Sequence, residues 1–379
     1  MTGNTDNIIT RNSGGWKRVV IKIGSALLID KDSGQLRVDW LEGIARDVVF
    51  LRQRGYQVIL VSSGSIGLGR KILNLSMSKK LEENQAAAAV GQIELAAAYR
   101  TILGKHDITT AQILLTYGDT EERRRYLNAR NTINRLLELN VVPMINENDT
   151  VATDEVRYGD NDRLAARVAS MCEADCLFLL SDIDGLYTAD PKHDSGAEFI
   201  HEVKDITPAI VAMAGEPVST GFGSGGMITK IAAAKIAVAS GCNMVISNGT
   251  DSSPVQAYFQ QGKGTWFQAS GNPLAAKKKW IGASLQVAGV LVIDDGALRA
   301  LKAGKSLLPA GVVRVEGAFD RGDTIRIVDG GGAIVGQGLI AYNAGDAAKL
   351  IGHRSHEIEQ ILGYSGREEI IHRNDLVIN

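Results

Sequence analysis

The chain has 379 residues, a formal net charge of −2, 45% apolar residues and 22% charged residues. This length predicts two domains, and the composition is typical of a soluble globular protein with ample core. The near-neutral charge gives no electrostatic reason to expect nucleic acid or an anionic membrane as the main partner, and no apolar run approaches the roughly 18 residues that span a bilayer.

Residues 1–15 are polar and lack the apolar core of a signal peptide, so they predict a short disordered tail. Beyond them, short runs rich in Val, Ile and Leu alternate with segments whose apolar residues recur at helical spacing. Strands are predicted at Arg18–Ile23, Gln57–Ser62, Gln112–Leu115, Val141–Ile145, Cys176–Leu180 and Met244–Ser247. Helices are predicted from Val38 to the terminating Gly55, and at Tyr126–Leu139, Arg163–Cys172 and Met227–Ala239. The alternation is typical of the α/β class, with an open, mainly parallel sheet between helices.

The pattern changes after Gly271-Asn272-Pro273, where turn glycines begin to separate short β segments. These segments are predicted at Leu285–Ile293, Val312–Glu316, Thr324–Val328 and Ala333–Ile340. We therefore divide the chain into an α/β domain at residues 16–270, a linker at 271–280 and a compact β-rich domain at 281–379. Lys277–Lys279 at this boundary are better explained as solvated side chains than as a nucleic-acid contact.

Two clusters of carboxylates and carboxamides follow the predicted strand Val141–Ile145. The first is Asn146-Glu147-Asn148-Asp149, and the second, Asp160-Asn161-Asp162, opens the predicted helix Arg163–Cys172. Ligands of open α/β sheets bind just beyond the carboxyl ends of the strands. The two clusters therefore predict a ligand site at this edge of the sheet.

A glycine-rich loop runs directly into the predicted helix Met227–Ala239, and that helix carries Lys230. Gly221, Gly223 and Gly226 have the G-x-G-x-x-G spacing of dinucleotide-binding folds, but no strand leads into them and no acidic residue stands about 20 positions later. The loop is interpreted either as a phosphate-binding turn or as a tight turn without a ligand. The first interpretation is favoured by the helix N-terminus, whose positive charge of roughly half a unit attracts phosphate.

Other nucleotide and nucleophile motifs fit less well. Gly304-Lys305-Ser306 resembles the end of a Walker A loop, but Arg299 stands where that motif requires glycine. A serine nucleophile would need G-x-S-x-G, which the chain lacks. The turn Ser62–Gly67 offers backbone amides and the Ser63 hydroxyl for binding a substrate or a phosphate.

Lys22 ends the first predicted strand beside a glycine turn, and a lysine there is costly to bury unless it meets an anion. Lys22 and Lys230 are therefore predicted to converge on a transferred phosphate, whose reaction needs charge neutralisation and alignment rather than covalent help. A carboxylate between the two lysines would hold both, and Asp162 is the candidate, with a helix cap as its alternative role. An acidic pocket beside a phosphate-binding turn predicts a kinase of small molecules.

The three cysteines, Cys172, Cys176 and Cys242, lack the repeated pairs of a disulfide framework, so we expect a cytoplasmic, reducing location. Cys172 and Cys176 allow a redox or metal pair, but Cys176 begins an apolar strand and is better explained as a small buried hydrophobic residue. His353 and His356 have a spacing that a helical metal site would use, but no third ligand lies near them in sequence.

Six segments, in their order along the chain, resemble segments of the bacterial glutamate 5-kinases, which belong to the amino acid kinase superfamily. These segments are Val20–Ser25, Val61–Gly64, Asn146–Asp149, Gly159–Asp162, Leu186–Pro191 and Gly225–Lys230. In the C-terminal part, a further set resembles the PUA domain that many of these enzymes carry: Ser306–Gly311, Phe319, Gly322-Asp323 and Tyr342-Asn343. The resemblance covers the chain from about Lys17 and implies an amino acid kinase fold followed by a small β-rich PUA domain.

This resemblance implies that ATP and L-glutamate give L-glutamyl 5-phosphate and ADP, the first step of proline biosynthesis. It also implies Mg²⁺, feedback inhibition by proline, a homo-oligomer, and functional coupling to the next enzyme of the pathway. In the implied site, Lys22 and Lys230 contact the phosphates, and Asp162 orients them. Glutamate is bound by Ser63, Asp149 and Asn161. The implied ATP contacts are Lys22, Ser181, Asp182, Ser224, Gly225, Gly226, Met227, Ile228, Thr229 and Lys230.

Two positions depart from the commonest pattern of the resembled family, because Ser181 and Ser224 stand where threonine is more usual. Both serines keep the hydroxyl, so we expect little loss beyond one methyl contact at each site. A free α-ammonium needs a carboxylate partner when it is desolvated, and Asp149 supplies one, which favours glutamate over N-acetylglutamate. The alternatives are an aspartate or N-acetylglutamate kinase and, from another class, an RNA-binding PUA protein. RNA is not the expected partner, because the chain lacks a basic, aromatic-rich stripe.

Overall fold

A computed structural model of the chain describes residues 15–30, 32–76, 80–151, 161–191, 193–215, 226–269, 271, 287–364 and 366–378. The described residues form two compact units, one within residues 1–273 and one within residues 274–379. The predicted N-terminal tail and linker lie outside the described residues, apart from Gly15 and Gly271. The exact domain boundaries therefore stay predictions.

The first unit alternates strands and helices in chain order. Its strands are β1 (Arg18–Ile23), β2 (Gln57–Ser62), β3 (Thr110–Leu115), β4 (Val142–Glu147), β5 (Cys176–Ser181), β6 (Leu186–Tyr187), β7 (Phe199–Ile200), β8 (Glu202–Val203), β9 (Asn243–Asn248) and β10 (Thr265–Phe267). Its helices are α1 (Ser25–Leu28), α2 (Val38–Gln53), α3 (Ser65–Ile72), α4 (Leu81–Gly104), α5 (Tyr117–Glu121), α6 (Arg123–Glu138), α7 (Asn161–Met171), α8 (Pro208–Ala212), α9 (Met227–Ala239) and α10 (Pro254–Gln261).

Eight of these strands form one sheet in the order β3-β4-β2-β1-β5-β9-β10-β8. Its pairs are parallel except for β9 with β10, and β6 pairs with β7 in a separate two-stranded hairpin. The prediction of an open, mainly parallel sheet is therefore confirmed. Near-continuous apolar runs such as β1 and β5 are expected of strands that are buried on both faces.

Successive side chains of β1 enter two separate cores, because side chains alternate across a strand. Ile21 packs into a core with helices α2, α4 and α10, whereas Val20 packs into a core with helices α6, α7 and α9. The sheet thus lies between two helical layers, as expected of an α/β domain. All three cysteines are buried as free thiols, and Cys176 lies in β5, as its apolar context predicted.

Helices α3 and α4 approach each other through two glycines. A Cβ atom at Gly91 would lie 1.8 Å from the carbonyl oxygen of Ser65 and 2.5 Å from the amide nitrogen of Gly69. A Cβ atom at Gly69 would lie 1.7 Å from the carbonyl oxygen of Ala87. Backbone therefore packs on backbone, and these contacts leave no space for a side chain at either position.

Gly91→Ala is expected to destabilise the protein by about 1–3 kcal/mol, because the added methyl group must separate the two backbones. Urea unfolding of the two proteins measures the difference. Gly104→Ala is the matched control at the end of the same helix, because its Cβ would meet nothing within 4 Å. A Gly91→Ala variant as stable as the Gly104→Ala variant would contradict the close contact.

The second unit is β-rich, as predicted. Its strands are β11 (Gly289–Ile293), β12 (Val312–Gly317), β13 (Thr324–Val328), β14 (Ile334–Leu339) and β15 (Leu376–Ile378), and its helices are α11 (Asp295–Lys302), α12 (Ala344–Lys349) and α13 (Ile358–Leu362). Short 3₁₀ turns lie at Pro309–Gly311, Ser355–Glu357 and Arg373–Asp375. The strands form one sheet in the order β12-β11-β13-β14-β15, and buried residues such as Leu291, Ile325 and Ile371 give this unit its own core.

Several boundaries differ from those predicted. Strand β4 extends two residues further, to Glu147, and helix α7 already begins at Asn161, so both polar clusters lie partly within regular structure. The first strand of the second unit begins at Gly289, and residues 285 and 286 of its predicted range lie outside the described residues. Helix α4 was not predicted, because its alanine-rich sequence has little helical periodicity.

Across the described ranges, every helix is too short or too polar to cross a membrane.

Candidate active site

The predicted site residues lie at the carboxyl edge of the sheet, where β1, β2, β4 and β5 end. Lys22 is the penultimate residue of β1, and its strand neighbours β2 and β5 end in Ser62 and Ser181. Glu147 ends β4. Because parallel strands end at the same edge, residues that are distant in sequence come together there.

A buried ion cluster occupies the centre of this edge. Lys22 Nζ lies 2.5 Å from Asp162 Oδ1, and Lys230 Nζ lies 3.3 Å from Asp162 Oδ2. The exposed fractions are 7% for Lys22, 6% for Lys230 and 1% for Asp162. The carboxylate thus lies between the two ammonium groups, one oxygen to each, which is the arrangement that the sequence predicted.

The three charged groups of this cluster shift one another's pKa values. Burial alone would raise the pKa of Asp162, but the two lysines and the Thr229 hydroxyl hold that pKa below its usual range, so the carboxylate is ionised at neutral pH. Burial lowers the pKa of Lys22, and Lys230 adds to this effect, whereas Asp162 and Asp182 oppose it. Two ammonium groups thus flank one buried carboxylate, and a bound phosphate would give both of them a further anionic partner.

The N-terminus of helix α9 lies against the same carboxylate. Thr229 Oγ1 lies 3.0 Å from Asp162 Oδ2 and 2.9 Å from the Gly226 carbonyl oxygen, and its single hydrogen can be donated to either acceptor or shared between them. Gly226 precedes the first helical residue, Met227, in an extended conformation. The free amides at such a helix start favour phosphate. Of the predicted nucleotide contacts, Ser224 and Gly225 lie outside the described residues, as do Gly221 and Gly223 of the loop.

The two predicted nucleotide contacts on the neighbouring strand lie at the end of β5. Ser181 Oγ donates a hydrogen bond of 3.1 Å to Asp182 Oδ1, and the Ser181 carbonyl oxygen accepts one from the Gly249 amide. The Asp182 carboxylate is close enough to raise the pKa of Lys22. Both residues therefore belong to the same edge as the ion cluster.

Predicted substrate contacts on β2, β4 and α7 share one hydrogen-bond network. The Asn161 side-chain amide donates to Ser63 Oγ at 2.7 Å, to the Ser62 carbonyl oxygen at 3.2 Å and to Asn146 Oδ1 at 3.1 Å. Ser63 and Asn161 therefore come together as predicted. Asn161 and Asp162 are adjacent at the start of α7, so this network lies directly beside the ion cluster.

Asp149 follows β4, three residues after Asn146, and is partly buried. Burial raises its pKa to about 6, and a hydrogen bond of 3.1 Å from Ser65 Oγ opposes the rise. Asn146 Nδ2 also donates to Ser65 Oγ at 3.4 Å. Since no salt-bridge distance joins Asp149 to a basic side chain among the described residues, its carboxylate can pair with a cationic ligand.

Two residues of this network were missed at the sequence level. Ser65, the first residue of α3, holds Asp149, and Gln92, in the middle of α4, holds Asn146 through a hydrogen bond of 2.7 Å. Ser65 had a signal, because it follows the glycine turn after β2. Gln92 had none, since it lies 54 residues before its partner in an unpredicted helix.

His353 and His356, whose spacing would suit a metal pair but which lack a third ligand nearby in sequence, lie in the second unit, where His353 Nδ1 is 3.4 Å from Glu357 Oε1. Across the described ranges, no group of three or more His, Cys, Asp or Glu side chains is placed to hold a metal ion.

Comparison with known proteins gives two family matches. Residues 17–248 match the model of the amino acid kinase family, and residues 289–362 match that of the PUA domain. The chain is 55% identical to the glutamate 5-kinase of Paramagnetospirillum magneticum over 362 residues, which is 96% of this chain and 98% of that protein. It is 56% identical to the glutamate 5-kinase of Rhizobium etli over 96% of this chain and 94% of that one. It is 57% identical to the glutamate 5-kinase of Agrobacterium fabrum over 95% of this chain and 92% of that protein.

Proposed function

The chain belongs to the amino acid kinase family and, within it, to the glutamate 5-kinases, and we infer that it phosphorylates the side-chain carboxylate of L-glutamate with ATP. The observation that carries this function is an identity of more than half of all residues over nearly the full length of both chains. The product, L-glutamyl 5-phosphate, is the first intermediate of proline biosynthesis.

The reaction forms one bond and breaks one. A side-chain oxygen of glutamate attacks the γ-phosphorus of ATP, and the bond from that phosphorus to the β–γ bridging oxygen breaks, which releases ADP. The attacking carboxylate has an ordinary pKa of about 4.3 and is ionised at neutral pH, so no base has to remove a proton. The protein has to neutralise charge and align the reactants, which is the main work of phosphoryl-transfer enzymes.

We propose that the buried ion cluster performs that work. Lys22 and Lys230 would face the transferred phosphoryl group, and their ammonium groups would stabilise the negative charge of its oxygens. Asp162 would hold both ammonium groups at fixed positions, because each of its oxygens contacts one of them. The support is the burial of all three side chains and their meeting at the strand ends.

The nucleotide would lie along β5 and the start of α9. The predicted contacts Ser181, Asp182 and Thr229 surround the ion cluster, and the helix start offers free amides to phosphate. We propose that Mg²⁺ arrives as MgATP, coordinated by the phosphate oxygens, as is usual in kinases. In that form it is part of the substrate and neutralises further charge on the phosphates.

Glutamate would lie between Asp149 and the Asn161–Ser63 pair. The Asp149 carboxylate would pair with the α-ammonium group, and the Ser63 hydroxyl would bind a carboxylate. An N-acetylated substrate has no ammonium group and would leave Asp149 buried and unpaired, at a cost of a few kcal/mol. The support is the burial of Asp149 and its raised pKa of about 6.

A hydroxamate assay tests this function, because hydroxylamine traps acyl phosphates. Glutamate, aspartate and N-acetylglutamate are offered in parallel with ATP and Mg²⁺. Product from glutamate alone supports the assignment, and product chiefly from another acid would leave a kinase with a different substrate. Absence of product from all three acids would reject the proposed function and direct attention to RNA retention by the second unit.

The pH profile of kcat/KM for glutamate is expected to fall as the pH is lowered through about 6. Asp149 has a raised pKa of about 6, so its carboxylate is present above that pH and is lost below it. Each further pH unit should then lower kcat/KM about tenfold. At saturating glutamate the fall in kcat should lie at lower pH, because a bound ammonium group keeps the carboxylate ionised.

Asp149→Asn is the control for that profile. It should raise KM for glutamate, leave KM for ATP unchanged and remove the inflection near pH 6. If Asp149→Asn left the glutamate kinetics unchanged, Asp149 would have no role in binding the substrate.

Feedback inhibition by proline, a homo-oligomer and coupling to the next enzyme stay predictions from the family. The hydroxamate assay with added proline tests the first, and light scattering tests the second. We propose that the PUA domain tunes the inhibition. A variant without this domain that retains normal inhibition would remove that role.

A further inference from the structure

Two residues on one face of helix α4 contact the hydrogen-bond network around Asn161. Gln92 Oε1 accepts a hydrogen bond of 2.7 Å from Asn146 Nδ2, and two turns later the Tyr99 hydroxyl lies 3.0 Å from Ser62 Oγ. Tyr99 is 1% exposed, and Gln92 is 8% exposed. Neither residue belongs to the predicted set that touches glutamate. Each contacts a residue, Asn146 or Ser62, that accepts a hydrogen bond from the predicted glutamate contact Asn161.

Backbone groups fix which way the network points. The Glu147 amide donates a hydrogen bond of 2.9 Å to Asn146 Oδ1, so Asn146 must direct its Nδ2 group towards Gln92. The Ser62 carbonyl oxygen accepts from Asn161 Nδ2 at 3.2 Å, so the amide of Asn161 is also fixed in one orientation. A backbone amide only donates and a carbonyl only accepts, so neither side chain can be reversed without losing such a bond.

This orientation decides what the network presents to a ligand. The Asn161 amide group is used by Ser62, Ser63 and Asn146, whereas its Oδ1 atom is buried and has no hydrogen-bond partner among the described residues. Ser63 Oγ accepts from Asn161, so its own hydrogen remains available. The pair thus offers one acceptor and one donor, which complements a ligand with an ammonium group next to a carboxylate.

We propose that Gln92 is a positioning residue: by accepting from Asn146 it holds Asn146, and through it Asn161, at the place where this backbone-fixed orientation meets the ligand, and it thereby contributes to selection of a free α-amino acid. The inference rests on the proposed function for the identity of the ligand. Without the Gln92 acceptor, Asn146 Nδ2 keeps only the 3.4 Å contact to Ser65 Oγ, and Asn146 is 1% exposed. A buried donor with a poor partner is costly, so Asn146 shifts, and Asn161 shifts with it.

Gln92→Met tests the proposal, because methionine has a similar length and no comparable acceptor. KM for glutamate is expected to rise roughly tenfold or more, the loss expected for one buried hydrogen bond. KM for ATP should stay unchanged. The preference in kcat/KM for glutamate over N-acetylglutamate should fall, because a displaced Asn161 no longer holds its Oδ1 acceptor at the place of the ammonium group.

Gln92→Glu separates positioning from packing. Glutamate at this position keeps an acceptor for Asn146, whether or not it is protonated, so the KM for glutamate and the preference should return close to those of the parent. A purely structural role predicts the reverse order, because a buried carboxyl group disturbs a helix interior more than methionine does. Gln92→Asn, which keeps the amide but is one methylene group too short, should behave like Gln92→Met and replaces it if that variant does not fold.

The exposed residue Glu94 on the same helix provides the control, and Glu94→Met should leave both KM values unchanged. An unchanged KM for glutamate in Gln92→Met and Gln92→Asn, or equal losses in Gln92→Met and Gln92→Glu, would overturn the proposal. Calorimetric titration with glutamate in the absence of ATP measures the dissociation constant of glutamate independently of turnover. Failure of the proposed function is distinct, since it would show as no glutamate phosphorylation by the parent protein.

Discussion

Lys230→Met is expected to lower kcat by roughly 10²–10⁴-fold, because the variant loses one buried cation that stabilises the transition state. Each tenfold loss in rate corresponds to about 1.4 kcal/mol of lost transition-state stabilisation. Methionine nearly fills the volume of the lysine stem, and Asp162 keeps its contact with Lys22. The fold should therefore be retained. Steady-state kinetics with glutamate and MgATP measure kcat and both KM values.

Lys235→Met is the matched control for that variant. Lys235 lies on the same helix, five residues further along, but it is exposed, so Lys235→Met should leave kcat unchanged. A Lys230→Met variant that changed mainly KM would mean that Lys230 binds the ground state and the transition state equally. In that case the proposed role in stabilising the transferred group would be wrong.

Removal of the central carboxylate is expected to abolish activity and to destabilise the protein. Asp162→Leu removes the carboxylate that lies between the two buried ammonium groups, and breaking a buried ion pair from one side costs about 3–5 kcal/mol. The midpoint of urea unfolding should fall accordingly, and kcat should fall by at least as much as in Lys230→Met. Added sulfate should recover part of the stability, because an anion can compensate the two cations.

A triple variant separates the two effects. Lys22→Met, Asp162→Leu and Lys230→Met together remove every charge of the cluster, and apolar replacement of a buried ion cluster is often neutral or stabilising. The triple variant should therefore be more stable than Asp162→Leu alone while remaining inactive. If it were less stable than Asp162→Leu, the cost of the single variant would not come from unpaired charge.

Most strands of the first unit were predictable because they are short apolar runs between turn residues. The ranges of β1, β2, α9 and β13 match the predictions to the residue. Helix α4 escaped prediction because it is apolar on nearly all sides: Ala86 and Ile93 are exposed, whereas Ala87 and Leu95 are buried. A helix of this kind has no polar face for periodicity to detect.

The site residues at the ends of strands and at the start of a helix were predictable, whereas the supporting residue on helix α4 was not. Lys22 and Asp162 stand at strand and helix ends, which a parallel sheet brings to one edge. The contact of Gln92 with Asn146 depends instead on how closely α3 and α4 pack, and two glycines decide that distance. Such a contact is a tertiary consequence that no local pattern encodes.

The bridging position of Asp162 limits how this enzyme can be regulated. Because one carboxylate holds both lysines, an effector that displaced either ammonium group would remove one of the cations that stabilise the buried carboxylate and would disturb the other lysine as well. The two lysines are therefore coupled through Asp162, and disturbing either one should cost most of the rate. Graded control has to act elsewhere, through occupancy of the glutamate pocket, and an inhibitor of this chain should raise the glutamate concentration required rather than lower the maximal rate.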